Sequence, residues 1–163
     1  MSEPAPVPHK LYLEDLNIGQ SFTSAAYVLE EAAIKAFAAE FDPQPFHLEN
    51  AAAEASVFKG LAASGWHTTA IAMRLIVDGG IPLAGGIIGL GADVQWPRPT
   101  RPGDVLTLEA EIAEITPSRS KPNQAVVTVR CTMFNQNREP VMYLTPKLLV
   151  FKRDSAPSEP RLP

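Results

Sequence analysis

Apolar residues recur with two different periods along this chain of 163 residues, and the change falls near its middle. In the stretch Glu30 to Phe41, Ile34, Phe37 and Phe41 share one helical face, alanines fill the turns between them, and acids stand in the first turn where the helix dipole favours them. That spacing predicts a helix, and Pro43 stops it at Phe41-Asp42. Glu49 to Ala55 reads as a short alanine-rich helix. In Gly65 to Asp78, Trp66, Ala70, Met73 and Val77 form one stripe while Ile71, Ala72, Leu75 and Ile76 cover the other sides. A helix that is apolar nearly all round belongs inside something. Gly79-Gly80 ends it.

From Ile87 onward the period is two. Ile88, Leu90, Ala92, Val94 and Trp96 alternate with Gly89, Gly91, Asp93 and Gln95, and Pro97 closes the strand. A second strand carries Leu106, Leu108, Ala110 and Ile112 on one face, a third Ala125, Val127, Val129, Cys131 and Met133, and a last one runs from Val141 to Phe151. Pro146 in that last strand implies an edge or a bulge. Gln20 to Leu29 reads as a first strand before the helices. The order predicts an α+β fold, a single domain in which an antiparallel sheet of about five strands wraps around one buried helix, the hot-dog arrangement. The domain is expected over residues 11–152, between a flexible proline-rich arm at 1–10 and a flexible tail at 153–163.

Charge and cysteine content narrow the classes. A net charge of −4 leaves no basic footprint for nucleic acid or anionic membranes. The lone cysteine, Cys131, excludes an internal disulfide and sits among strand residues as a small hydrophobe. The histidines His9, His47 and His67 show no ligand-like spacing, so no metal site is expected. The N-terminus lacks a basic region followed by an apolar run, and no uninterrupted apolar stretch approaches the roughly 20 residues of a membrane span. A cytoplasmic location, with no membrane contact, is the expectation.

The chemistry concentrates in Phe41-Asp42-Pro43-Gln44-Pro45-Phe46-His47. Two prolines stiffen this segment and push their preceding residues away from helix, so it reads as an extended loop holding a carboxylate and an imidazole at a fixed separation. Taken alone, the pair is more often structural, with Asp42 ending a helix and His47 on the surface. A second stretch, Ala63-Ser64-Gly65-Trp66-His67, opens the buried helix, and Trp96-Pro97-Arg98-Pro99 and Arg101-Pro102-Gly103-Asp104 close one strand and lead to the next.

In this order and with these gaps, the motifs resemble those of the MaoC-like dehydratases and R-specific enoyl-CoA hydratases, over about Leu13 to Phe151. Gln44 stands where that family usually has asparagine, Ser64 where a histidine is often found, and Met73 where some members carry a serine. The resemblance implies reversible syn hydration of a 2-enoyl-CoA to an (R)-3-hydroxyacyl-CoA. Asp42 and His47 would handle the water and its protons. The backbone N–H at Gly65 would hold the thioester oxygen, because a helix start offers unpaired donors and glycine permits close approach. Gln44, Ser64 and Trp66 would shape the substrate site. CoA is then part of the substrate and no further cofactor is expected. Arg98, Arg101, Arg119 and Lys121 are the candidate cations for CoA, and a homodimer or higher oligomer is the expected assembly. The competing readings are a hot-dog acyl-CoA thioesterase, disfavoured by the lack of an acid in the first turns of the buried helix, and a non-catalytic acyl-CoA-binding module.

Overall fold

Regular alternation of core-facing and outward residues carries the chain through its long strands, and the computed structural model, which describes residues 9–155, places them side by side. In chain order the elements are β1 (Ser21–Thr23), β2 (Tyr27–Val28), α1 (Glu31–Phe41), α2 (Pro45–Leu48), α3 (Asn50–Ala55), α4 (Gly65–Leu75), β3 (Gly89–Gln95), β4 (Val105–Pro117), β5 (Gln124–Phe134) and β6 (Pro140–Phe151). All pairings are antiparallel in the order β1-β4-β5-β6-β3, with β2 also on β4. The result is the expected hot-dog domain with six strands.

The extra strand comes from the stretch read as one strand at Gln20 to Leu29. It breaks at Ser24, whose N–H donates to the Leu108 carbonyl while its Oγ accepts from the Leu108 N–H. That side chain occupies a ladder position which a backbone carbonyl would otherwise fill, and β1 and β2 continue as separate pieces. Pro146 is a second difference. β6 lies between β5 and β3 rather than at an edge, and the β5–β6 ladder lapses at Thr145–Pro146 without any change of register on either side. Proline lacks the N–H that the ladder needs.

The core forms where Leu106, Leu108 and Ile112 of β4, Val127 and Val129 of β5, and Met142 and Leu148 of β6 meet Ile71, Ala72 and Leu75 of α4. Each fully buried aliphatic side chain of this kind contributes about 1.5–3 kcal/mol relative to exposure. Cys131 is buried among them, and burial pushes its thiol up to about 12, so it behaves as a hydrophobe. After α4 the chain makes a π turn, Ile76–Gly80, which leaves the helix at Gly79 with φ of 122°, a conformation that a side chain would strain. Arg153–Ser155 forms a short 3₁₀ turn in which Arg153 bonds to Glu14 and Asp15, so ordered chain continues past the boundary read at residue 152. Residues 1–8 and 156–163, the bulk of the arm and tail, lie outside the described residues. Among the described residues no helix is long and apolar enough to cross a membrane.

α4 is buried on one half only. His67, Thr68, Ile71, Ala72 and Leu75 face inward, while Trp66, Met73 and Val77 are 62%, 43% and 61% exposed. Of a helix read as apolar nearly all round, the stripe of Trp66, Met73 and Val77 is therefore the outer one. β3 is similarly bare, with Leu90 57% exposed and every residue but Val94 open to solvent.

His67 is the unusual inward residue. Its ring stacks on Phe37 at 4.6 Å and 5°, and its buried Nδ1 has no hydrogen-bond partner. Burial lowers its pKa from 6.5. The unfolded chain therefore binds the proton more readily, and stability that is full above pH 6.5 is lost as the pH falls through and below that value. Denaturant unfolding of the wild type and His67→Phe across this range should show the wild type losing stability relative to the variant on acidification; parallel pH profiles would exclude the effect.

Candidate active site

Pro43 ends α1 as expected, with Asp42 as its C-cap at φ −150° and ψ 67°. The next residues do not stay extended. Pro45 takes the first position of α2, where its fixed φ suits a helix and its missing N–H costs nothing, and Gln44 is the N-cap. The single turn of α2 swings His47 back beneath Asp42. His47 is 4% exposed, with its ring edge-on to Phe46 at 4.7 Å, and its Nε2 lies 3.4 Å from Asp42 Oδ2.

The tautomer follows from the other ring nitrogen. His47 Nδ1 is 2.6 Å from the Ala62 carbonyl oxygen, which only accepts, so Nδ1 carries the proton. In the neutral ring Nε2 then presents a lone pair toward the carboxylate. Burial raises the Asp42 carboxyl, but the Ser64 hydroxyl, the Gln44 amide and the nearby His47 outweigh it and hold its pKa below the ordinary carboxylate value. Gln44 Nε2 donates to Asp42 Oδ1 at 2.6 Å. Gln44, which the sequence suggested as a substrate contact, thus also serves as a donor to the acid.

Ser64 is completely buried and caps α4, its Oγ accepting from the Trp66 N–H at 3.2 Å. The Gly65 N–H makes no hydrogen bond within the described residues. Glycine here has a reason beyond substrate approach: a Cβ on Gly65 would stand 2.8 Å from the Trp96 indole. Trp96 packs over that glycine, meets Trp66 edge-on at 5.4 Å and donates from Nε1 to Thr69 Oγ1 at 3.3 Å.

The strap of residues 58–63 supplies the Ala62 carbonyl, and Arg101 holds it. The guanidinium donates to the carbonyls of Phe58, Gly60 and Leu61, at 2.7 Å for Gly60 and 3.2 Å for Leu61. The Ala63 N–H donates to the Thr100 carbonyl, and the buried Asp104 accepts from the Arg101 N–H and from Gln136. Arg101 is therefore committed to the strap rather than free for a ligand. Arg119 and Lys121 lie in the β4–β5 connection, away from the site. Arg98 is the one of the four candidate cations that lines the pocket without being committed to the strap; it is exposed and donates to the Pro140 carbonyl.

Asp42, Gln44, His47, Gly65 and Trp66 open onto one pocket of about 440 Å³, walled also by Phe58, Trp96 and Pro97. Ser64 stands just behind it. All six residues singled out in the sequence are thus brought together. Ala62, Thr69 and Trp96 were not singled out as site residues, and Arg101 was singled out only as a candidate cation for CoA. A backbone carbonyl leaves no trace in a sequence, whereas the Trp96-Pro97 strand ending was visible and could have been followed into the pocket.

Comparison with known proteins bears on the fold and the family. Residues 15–133 match the family described as MaoC like domain. The chain is 31% identical over 127 residues to the uncharacterized protein YdeM of Bacillus subtilis, covering 76% of this chain and 87% of that protein. The crystal structure of a MaoC-like dehydratase from Rhodospirillum rubrum is 57% identical, with a TM-score of 0.87 over 88% of this chain and 98% of that one. The R-hydratase PhaJ1 of Pseudomonas aeruginosa, in its unliganded form, is 25% identical, with a TM-score of 0.70 over 94% of this chain and 96% of that one. A family match across most of the chain, a fold shared with an R-hydratase, and an acid–histidine pair in a pocket at the start of α4 lead to one conclusion: this chain belongs to the MaoC-like domain family.

Proposed function

We propose that the protein catalyses reversible syn hydration of a 2-enoyl-CoA to an (R)-3-hydroxyacyl-CoA, with Asp42 and His47 as the catalytic pair. The observation that carries this reading is the 2.6 Å contact of His47 Nδ1 with the Ala62 carbonyl, which assigns the tautomer. With Nδ1–H tied to Ala62, the Nε2 lone pair and the Asp42 carboxylate are two acceptors 3.4 Å apart facing the same pocket. They are suited to receive the two O–H bonds of one water.

A carboxyl held below its ordinary value is a poor proton acceptor, so Nε2 takes the proton as the water oxygen attacks Cβ. The imidazolium formed is stabilised by Asp42, which stays ionised. Electrons of the double bond move onto the thioester oxygen, and the Gly65 N–H, unpaired at the start of α4, receives that charge. Loss of one such donor costs about 3–4 kcal/mol of transition-state stabilisation. When the enolate collapses, Nε2–H returns the same proton to Cα. One group on one face adds both parts of the water, which makes the addition syn. No cofactor is required, because CoA is part of the substrate, and Arg98 at the pocket wall, exposed and 4.0 Å from Glu139, is the candidate cation for a CoA phosphate.

Asp42→Asn removes the charge that stabilises the imidazolium and should lower kcat by about 10²- to 10⁴-fold while circular dichroism stays unchanged. The assay is loss of the conjugated enoyl thioester, with stereospecific dehydrogenases reading the product. Undiminished hydration by the variant would sink the mechanism, and release of free CoA by the wild type would point to a thioesterase instead. Asp78, an acid at the far end of the buried-helix segment, is ion-paired with Arg74 there, outside the pocket.

We also propose a homodimer. Among the described residues β3 pairs with β6 on one side alone, so its other edge offers unpaired backbone groups beside the exposed Leu90. The uncovered stripe of Trp66, Met73 and Val77 on α4 and the following turn is too apolar to suit solvent. A second copy pairing β3 to β3 satisfies both. Light scattering should give twice the chain mass of 17.6 kDa, and Leu90→Glu should shift it toward the monomer. A monomeric wild type would exclude the pairing.

A further inference from the structure

A second cavity, of about 370 Å³, lies beside the catalytic pocket, and nothing in the mechanism uses it. It is an apolar groove between α4 and the β3–β6 end of the sheet, bounded by Thr69, Met73 and Ile76 on the helix and by Gly89, Gly91 and Leu148 opposite. The same two elements line both spaces in matching order. Along the helix, Gly65, Trp66 and Thr68 border the catalytic pocket and Thr69, Met73 and Ile76 border the groove; along the strand, Trp96 borders the pocket and Ala92, Gly91 and Gly89 the groove. The two cavities share no lining residue, and the side chain that stands between their walls is Trp96, which lines the pocket and bonds to Thr69 of the groove.

Three contacts hold that indole in place: its packing on Gly65, its edge contact with Trp66 and its hydrogen bond to Thr69. The hydrogen bond joins a residue of the pocket wall to a residue of the groove wall. Beyond it, a Cβ built on Gly89 or Gly91 would meet nothing within 4 Å, so these glycines leave the groove floor open. From Thr69 to Ile76 the helix advances about 10 Å, enough for several methylenes of an alkyl chain.

We infer that Trp96 is a specificity gate: seated on Gly65 and Thr69 it ends the acyl site and selects short-chain 2-enoyl thioesters, and its removal joins the apolar groove to the site for longer chains. The inference deepens the hydratase reading and rests on it for the identity of the ligand. Trp96 acts through the space it fills and touches no reacting atom.

The test separates binding from turnover. Calorimetric affinities for butyryl-, octanoyl- and dodecanoyl-CoA, which cannot be hydrated, are measured for the wild type, Trp96→Leu, Thr69→Val and the double variant Trp96→Leu/Gly91→Leu, alongside kcat/KM for the corresponding 2-enoyl-CoAs. In the wild type, affinity should stop rising, or fall, after the short chain. In Trp96→Leu the dodecanoyl-to-butyryl preference should rise at least tenfold, since each newly buried methylene is worth about fourfold. Thr69→Val, which keeps the shape but loses the hydrogen bond, should move the profile in the same direction by less. Filling the groove at Gly91 should cancel the gain. A wild type that prefers long chains, or a folded Trp96→Leu with an unchanged profile, overturns the gate, as does failure of every acyl-CoA to bind. Chain-length-dependent binding that follows this pattern without any hydration would support the gate and reject the hydratase reading.

Discussion

The hydrogen bond from His47 Nδ1 to the Ala62 carbonyl is the constraint on which the site depends. It fixes which ring nitrogen carries the proton and aims the other at Asp42. The bond is buried, so a ring turned away from it would leave a carbonyl unsatisfied at a cost of about 1–3 kcal/mol. Neither partner could be placed without the other. α2 exists for one turn because Pro45 starts it, and that turn carries His47 under the strap; the strap in turn exposes a carbonyl because its backbone leaves regular structure, with Lys59 at φ 56° and Gly60 at φ 156°.

That strap serves more than the histidine. Its continuation supplies Ser64, whose hydroxyl helps hold the Asp42 pKa down and which caps α4, and then Gly65, whose N–H is unpaired among the described residues. Imidazole orientation, carboxylate charge and the helix-end donor are thus set by one short piece of chain. Arg101 holds that piece by three carbonyls, a task that suits a planar guanidinium with several fixed donors and does not suit the single ammonium of lysine. Its own position is fixed by Asp104, which is buried and also bonded to Gln136 from the β5–β6 connection. The loop that looks irregular is held from the sheet beneath it.

Much of this was legible in the sequence. The switch of period at Ile87 gave the strands, and the all-round apolarity of Gly65 to Asp78 marked the central helix. The acid, the histidine and the helix-start glycine came together as a set through the resemblance to a known family; the prolines alone marked only a stiff segment that ends a helix. What escaped has a common physical cause. The Ala62 carbonyl, the Arg101 clamp and the break at Ser24 all join a side chain to backbone at separations of 15, 40 and 84 residues, and a backbone group carries no residue-type signature. Arg101 was one of four candidate cations for CoA for that reason: its charge was visible and its three acceptors were not. Pro146 misled in the other direction, since the local rule against proline in an interior strand yielded to a ladder that lapses there and resumes in register.

The apolarity of α4 raises a different point. Its inner half packs on β4, β5 and β6, but its outer half and β3 stay exposed in the single chain, and the groove next to the catalytic pocket opens between them. A surface helix would have polar residues there. The sequence pattern therefore describes a helix covered on both sides, and the cover absent from one chain falls on the same border as the groove. In the proposed pairing the second copy lies along that border, so closing the interface and enclosing the acyl compartment become a single packing event. On that proposal the glycines at 89 and 91 have a use, since larger side chains there would enter the groove that the pairing encloses.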